Sequence, residues 1–196
     1  MTNQNASILE ILANRYSTSP AHMREEAPDD ETLRTLLQCA MSAPDHGNLK
    51  PWRFHIIRGD ARKRFGAIMR ERYQILYPQT SDDDLDNIAT KPLRAPLIIV
   101  VGAKIHHDLA KVPPQEQITA ASIAAGHIVV AAQAAQVGAI ILSGWSCFDP
   151  IIKDHFGYSQ TDAIIGYIYM GMIAQQDTKS RRRPDAADFT KNWTGS

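Results

Sequence analysis

A chain of 196 residues with 21 Lys plus Arg and 21 Asp plus Glu has no formal net charge, so it lacks the basic field that holds a nucleic-acid backbone. Its 44% hydrophobic and 21% charged residues are the balance of an ordinary globular protein, not of a disordered, fibrous or membrane chain. One domain over residues 1–196, with a basic tail from about residue 175, is expected at this length. Cys39 and Cys147 stand far apart with no C-x-x-C, which supports neither a disulfide scaffold nor a zinc ribbon. The N-terminal run MTNQNASILEI has no basic residues ahead of its apolar part, so no secretory leader is expected and the cytoplasm is the expected compartment.

Ser7 followed by Glu10 is a capping-box pattern, and Ile8, Leu9, Ile11 and Leu12 share a face, predicting a short docked helix to about Arg15. Leu33, Leu36, Leu37, Ala40 and Met41 recur at helical spacing, and Pro44 stops that second helix. Trp52 to Arg58 reads as a strand, Asp60 as the cap of a third helix through about Tyr77, and Ser81 to Lys91 as an exposed acidic fourth. Leu97 to Val101 is apolar on both faces, as a central strand covered on both sides would be. Gln115 to Val137 is a long apolar helix ending at Gly138 as its C′ residue, and the polar residues Thr119, Ser122, His127, Gln133 and Gln136 favour a core helix over a membrane span. Ala139 to Leu142 and Ala163 to Gly171 read as buried strands, separated by a capped helix from Asp149 to Phe156 with Gly157 after it.

Familiar chemistry is mostly absent. Neither G-x-G-x-x-G nor G-x-x-x-x-G-K-[ST] occurs, and Gly144-Trp145-Ser146-Cys147-Phe148 lacks the second glycine of a nucleophile elbow. None of the seven histidines sits at H-x-x-x-H or H-E-x-x-H spacing, so no structural or catalytic metal is expected. What remains is Ala43-Pro44-Asp45-His46-Gly47-Asn48-Leu49-Lys50-Pro51-Trp52-Arg53-Phe54, a helix stopped by proline, a polar turn, a second proline and a strand opening on an aromatic. Such a turn sets amides and small polar side chains at a helix end, where the edge of a planar heteroaromatic ring can be read. On composition alone the favoured reading is a structural loop with Trp52 in the core, since polar loop residues usually just solvate or cap.

The arrangement of motifs resembles the flavin-dependent nitroreductase family, most closely its small members. The matching runs are Arg15-Tyr16-Ser17, Ala43-Pro44-Asp45-His46, Pro51-Trp52-Arg53-Phe54, Arg94-Ala95-Pro96-Leu97-Ile98-Ile99, Lys111-Val112-Pro113, the long Ala-rich helix and Ser143-Gly144, in that order over nearly the whole chain. The resemblance implies an α+β fold, a mixed β-sheet flanked by helices, in an intertwined homodimer with FMN at the interface. It implies that Arg15, Tyr16 and Ser17 form the phosphate motif, joined by the tail arginines Arg181 and Arg183. Arg15 read by itself is equally a helix-end charge meeting the macrodipole. Ser42, His46 and Asn48 match the turn that reads the flavin from the partner subunit, and Ile141, Leu142 and Ser143 the strand end along the isoalloxazine. His127, Gln133 and Cys147 receive core or interface roles.

The implied activity is an FMN-dependent NAD(P)H oxidoreductase of ping-pong type, passing electrons from NADH or NADPH to a nitroaromatic, quinone or similar small acceptor. The flavin carries that chemistry, and no side chain is required as an essential acid or base. Two alternatives stay open: an FMN-binding protein without turnover, in flavin storage or regulation, and a flavin-dependent dehalogenase or dehydrogenase on the same fold. Tyr16, Pro20 and Leu142, where relatives often carry other residues, keep the first of these alive.

Overall fold

The computed structural model describes residues 8–174 and 183–195. In chain order the helices are α1 (Ile8–Asn14), α2 (Asp30–Ala40), α3 (Asp60–Leu76), α4 (Asp82–Thr90), α5 (Pro114–Ala134) and α6 (Pro150–His155). The strands are β1 (Trp52–Arg58), β2 (Leu97–Ala103), β3 (Val137–Leu142) and β4 (Ala163–Met172). They form one four-stranded sheet in the order β1-β2-β4-β3. All three pairings are antiparallel, so these strands make an antiparallel sheet rather than a mixed one, within the expected α+β class.

Both faces of the sheet are covered. On one face α2 and α5 bury Leu33, Leu36, Ala124 and Ile128 against Leu97, Ile99 and Ile168. On the other, α3 and α6 place Phe65, Met69 and Ile152 against Ile98, Val100 and Tyr167. β2 is therefore buried at every position, which is why its sequence carries no alternation of apolar and polar residues. Local signals set the helix starts: Asp29 accepts from Thr32 N at 2.7 Å, Ser81 from Asp84 N at 3.2 Å, and Asp149 from Ile152 N at 2.9 Å. Asp60 is instead the first residue of α3, and the cap position is Gly59, with φ 57° and no capping side chain.

Two elements depart from expectation. α5 ends at Ala134, and the left-handed residue after it is Gln136 (φ 57°), not Gly138. Gly138 lies inside β3, where a β-carbon would sit 3.1 Å from both the Gly171 carbonyl oxygen and Thr18 Cγ2, so it serves close packing and not helix termination. α1 is docked only weakly through its apolar residues: Ile11 is half-buried, but Ile8, Leu9 and Leu12 are 63%, 73% and 51% exposed. α5 is long and apolar enough to cross a membrane by length and composition, but Ala120, Ala121, Ala124, Ala125, Ile128 and Ala132 bury one of its faces. It is a core helix on that side, with its other side outward.

Candidate functional site

The chain leaves α1 at Asn14, and Arg15, Tyr16 and Ser17 follow, each partly buried. The backbone then runs beside β3, with Thr18 N donating to the Ala139 carbonyl at 3.0 Å. The tail returns to the same place. Arg183 donates to the Arg15 carbonyl and, at 3.4 Å, to the Ala13 carbonyl, so its guanidinium occupies the C-terminal end of α1. Arg15, Ser17 and Arg183 are thereby gathered on the β3 side of the protein. Arg181 lies outside the described residues.

β3 continues from that edge into Ile141, Leu142 and Ser143. Ile141 is 40% exposed and pairs across the ladder with Ile168, while Leu142 pairs with Tyr167 on the opposite face. Ser143 and Gly144 are exposed. Behind them burial shifts the titratable groups. Burial pushes the Tyr169 phenol up to about 12. Burial drives Tyr167 higher still and raises the Cys147 thiol. Lys91 moves the other way, lowered first by burial and then by the charge of Arg94.

The turn between α2 and β1 is a separate assembly. Gly47 (φ 78°), Asn48 (φ 54°) and Lys50 (φ 51°) all take the left-handed conformation, which only the first of the three, as glycine, adopts freely. Asp45 and Arg53 hold it there. Lys50 N donates to Asp45 Oδ2 at 2.6 Å, and Arg53 Nη1 donates to the carbonyls of Lys50 at 2.8 Å and Trp52 at 2.7 Å. His46 Nδ1 donates to Glu116 Oε2 at 2.6 Å, tying the turn to the first turn of α5. The motif's Asp and Arg thus brace backbone, leaving Ser42, His46 and Asn48 as the residues that present side chains.

Ser42 donates to the Cys39 carbonyl at 2.8 Å, and its oxygen lies 3.1 Å from His127 Nδ1. A hydroxyl has one proton, so His127 must be the donor in the second bond, which assigns its tautomer. Both residues line a mainly apolar groove of about 550 Å³ between α2 and α5, with Ile8 and Leu12 of α1 on its rim. His127, expected to have only a core or interface role, is therefore the partner of a predicted site residue. Its signal in the sequence is weak: it is one of several polar residues scattered along an Ala-rich helix.

The predicted residues form two groups in one chain. Arg15, Tyr16, Ser17, Ile141, Leu142, Ser143 and Arg183 belong to the β3 edge, whereas Ser42, His46 and Asn48 sit in the connection from α2 to β1. β1 and β3 are opposite edges of the sheet, about 14 Å apart at the usual strand spacing. Among the described residues no group of three or more His, Cys, Asp or Glu side chains is placed to hold a metal ion. Both cysteines are free thiols, Cys39 exposed and Cys147 buried.

The family model described as "Nitroreductase family" matches residues 12–172. The Escherichia coli (strain K12) protein named "Putative NAD(P)H nitroreductase YdjA" is 36% identical over 181 residues, covering 92% of this chain and 96% of that protein. In fold, a nitroreductase-like family protein from Bacillus cereus superposes with a TM-score of 0.82 at 18% identity, over 100% of both chains. A Desulfovibrio desulfuricans protein titled a "putative nitroreductase in complex with fmn" gives 0.69 at 22% identity, again over 100% of both.

Proposed function

The chain belongs to the nitroreductase family, and from that membership we propose that it is an FMN-dependent NAD(P)H oxidoreductase reducing nitroaromatics, quinones or similar acceptors. The observation that carries this reading is the return of Arg183 to the backbone of Arg15, in the segment whose Thr18 amide bonds to β3, the strand that runs on into Ile141, Leu142 and Ser143. The donor set fits the cofactor: two guanidinium groups and a hydroxyl suit a dianionic phosphate. The exposed strand end next to them offers backbone and apolar surface to a flat ring. Bound FMN would supply two-electron transfer, accepting hydride from NADH or NADPH and passing electrons to the second substrate in ping-pong order.

The chain's own residues then have distinct tasks. Arg15, Ser17 and Arg183 anchor charge, and the strand end supports one face of the ring. Ser42, His46 and Asn48 complete the site from a second copy, because their turn enters from the far edge of the sheet. That copy also accounts for the outward face of α5, the groove beside it and the exposed Ile8, Leu9 and Leu12. The protein is on this reading an obligate homodimer.

Anaerobic titration of the FMN-loaded protein with NADH and NADPH, followed by a nitroaromatic or quinone, tests the activity. Bleaching of the flavin band and its rapid recovery on addition of acceptor is the expected result. No bleaching with either nucleotide would leave a flavin-binding protein without turnover. Sizing tests the assembly, and a monomer that keeps FMN would overturn the dimer.

A further inference from the structure

The 3-10 turn Lys91–Arg94, between α4 and β2, carries the Arg94-Ala95-Pro96 run that the proposed function leaves without a task. Lys91 and Arg94 both face a small cavity of about 190 Å³, whose opposite wall is Ser143 and Gly144 at the end of β3. We propose that these two cations form a subsite for the carboxylate of an aromatic acid, and that the preferred acceptors accordingly carry a negatively charged group. That the acid is the electron acceptor rests on the function proposed above; that the cavity binds an aromatic carboxylate does not.

Charge is the first argument. Three of the four arginines of neighbouring α3 are provided for: Arg62 pairs with Glu25, Arg70 with Asp82 and Asp86, and Arg72 with Asp149. Lys91 and Arg94 have no ion pair among the described residues, and none of the residues lining the cavity is acidic. Two like charges sit together, one of them partly buried, so an anion placed between them relieves repulsion and replaces lost solvation.

The uncharged polar groups point the same way. Tyr167 lines the cavity, is 4% exposed, and its hydroxyl faces Ser146 and Cys147 without a hydrogen bond of good geometry. A buried hydroxyl left without a partner is costly, and a carboxylate oxygen can accept from it. Tyr169 also lines the cavity and stays protonated, so a second phenol stands beside the cations as a donor group. The space is smaller than the roughly 300 Å³ of a whole-ligand pocket, so it takes one end of a molecule that extends toward the strand end. Met69, Leu142 and Trp145 add apolar and aromatic wall, which suits the ring of an aromatic acid better than a dinucleotide's phosphates.

Calorimetric titration of the FMN-loaded protein with benzoate, its uncharged analogue benzyl alcohol, and inorganic phosphate tests the site. Benzoate is expected to bind, and Arg94→Gln and Lys91→Gln each to weaken it about tenfold, as loss of one charge-assisted hydrogen bond does. Arg94→Lys, which keeps the charge, should retain most of the affinity and guards against a merely misfolded Gln variant. In turnover, the preference for 4-nitrobenzoate over 4-nitrobenzyl alcohol should fall about tenfold in either Gln variant, through KM. Equal benzoate affinity in parent and variants, or no benzoate binding, overturns the proposal. So does phosphate binding more tightly than benzoate, or a rise in the NADPH KM alone, since either assigns the cations to the dinucleotide. If no nitro compound is turned over but benzoate binding follows the two cations, the proposed activity fails and the subsite stands.

Discussion

Arg183 donates to the backbone carbonyl of Arg15 across 168 positions of sequence. The contact supplies the helix-end charge that Arg15, read by itself, would provide, because Arg183 also reaches the Ala13 carbonyl at the close of α1. On the proposed function, Arg15 serves as an anchor for phosphate.

Arg15→Ala should weaken FMN binding by roughly tenfold to 150-fold, corresponding to about 1.5–3 kcal/mol for a charge-assisted hydrogen bond. Riboflavin, which lacks the phosphate, should bind parent and variant nearly alike. Arg183→Ala should shift FMN in the same direction, and the double variant should lose less than the sum, since the two side chains share one segment. Fluorescence titration of the apoprotein measures all of these affinities. Unchanged FMN affinity in Arg15→Ala would remove the phosphate from this end of the protein.

The Asp149 carboxylate, 1% exposed, receives both Arg72 contacts, at 3.2 and 2.9 Å, and caps α6 through Ile151 N and Ile152 N. Burial acts to raise its pKa, but the Arg72 hydrogen bonds and the two amides outweigh it and hold the group below the usual carboxylate value. A depressed native pKa stabilises the fold above the unfolded value of about 3.9 and is lost as pH falls through the native one. Asp149→Asn should cost about 1.5–3 kcal/mol at pH 7, because the partly buried Arg72 loses its charge-assisted hydrogen bonds. Its acid limb below about pH 4 should also be flatter than the parent's. Urea melts at pH 7 and pH 3 make the comparison, and parallel losses at both pH values would contradict it.

Lys50 has φ 51° and no glycine's freedom, so Asp45 and Arg53 hold it against its own preference. Lys50→Gly should raise stability by about 0.5–1 kcal/mol by removing the left-handed strain. Asp45→Ala should lower it by about 1–2 kcal/mol, having left the Lys50 amide without its acceptor. Thermal melts of the two variants should therefore move in opposite directions. A fall in Lys50→Gly would mean that the lysine side chain contributes more than the strain costs.

Gly66 sits where α3 crosses α4, and a β-carbon there would overlap the Ala89 carbonyl oxygen, which is backbone and cannot rotate away. Gly66→Ala should destabilise by about 1–3 kcal/mol or more, despite the better helix propensity of alanine. Gly126, on α5, is the comparison within the protomer, because a β-carbon added there would meet none of this protomer's atoms within 4 Å. Denaturant midpoints of the two variants should separate clearly, and equal midpoints would show that α3 and α4 can slide apart at little cost.

Much of the secondary structure is legible in the sequence because its signals are local. Trp52–Arg58 has the predicted bounds, and the starts of α2, α4 and α6 carry capping side chains that act within three residues of themselves. The end of α5 is not legible in this way, because two residues compete for one signal. Glycine is the usual left-handed residue, but Gln136 takes that conformation, and Gly138 is needed where Thr18, Met23 and Gly171 crowd β3. The candidate site divides along the same line. Its residue types can be named from their motifs, including Arg15, Ser17, His46 and Ser143, but not their companions. Ser42 meets His127 across 85 positions, Arg72 meets Asp149 across 77, and Lys91 and Arg94 reach Ser143 only because α3, the 3-10 turn and β4 pack behind the end of β3. Periodicity, caps and turn residues act over a few residues, within the reach of one helical turn or one hydrogen bond along the chain. Which distant groups then share a cavity depends on strand order and on which helix covers which face, and those are decided by the packing of the whole sheet.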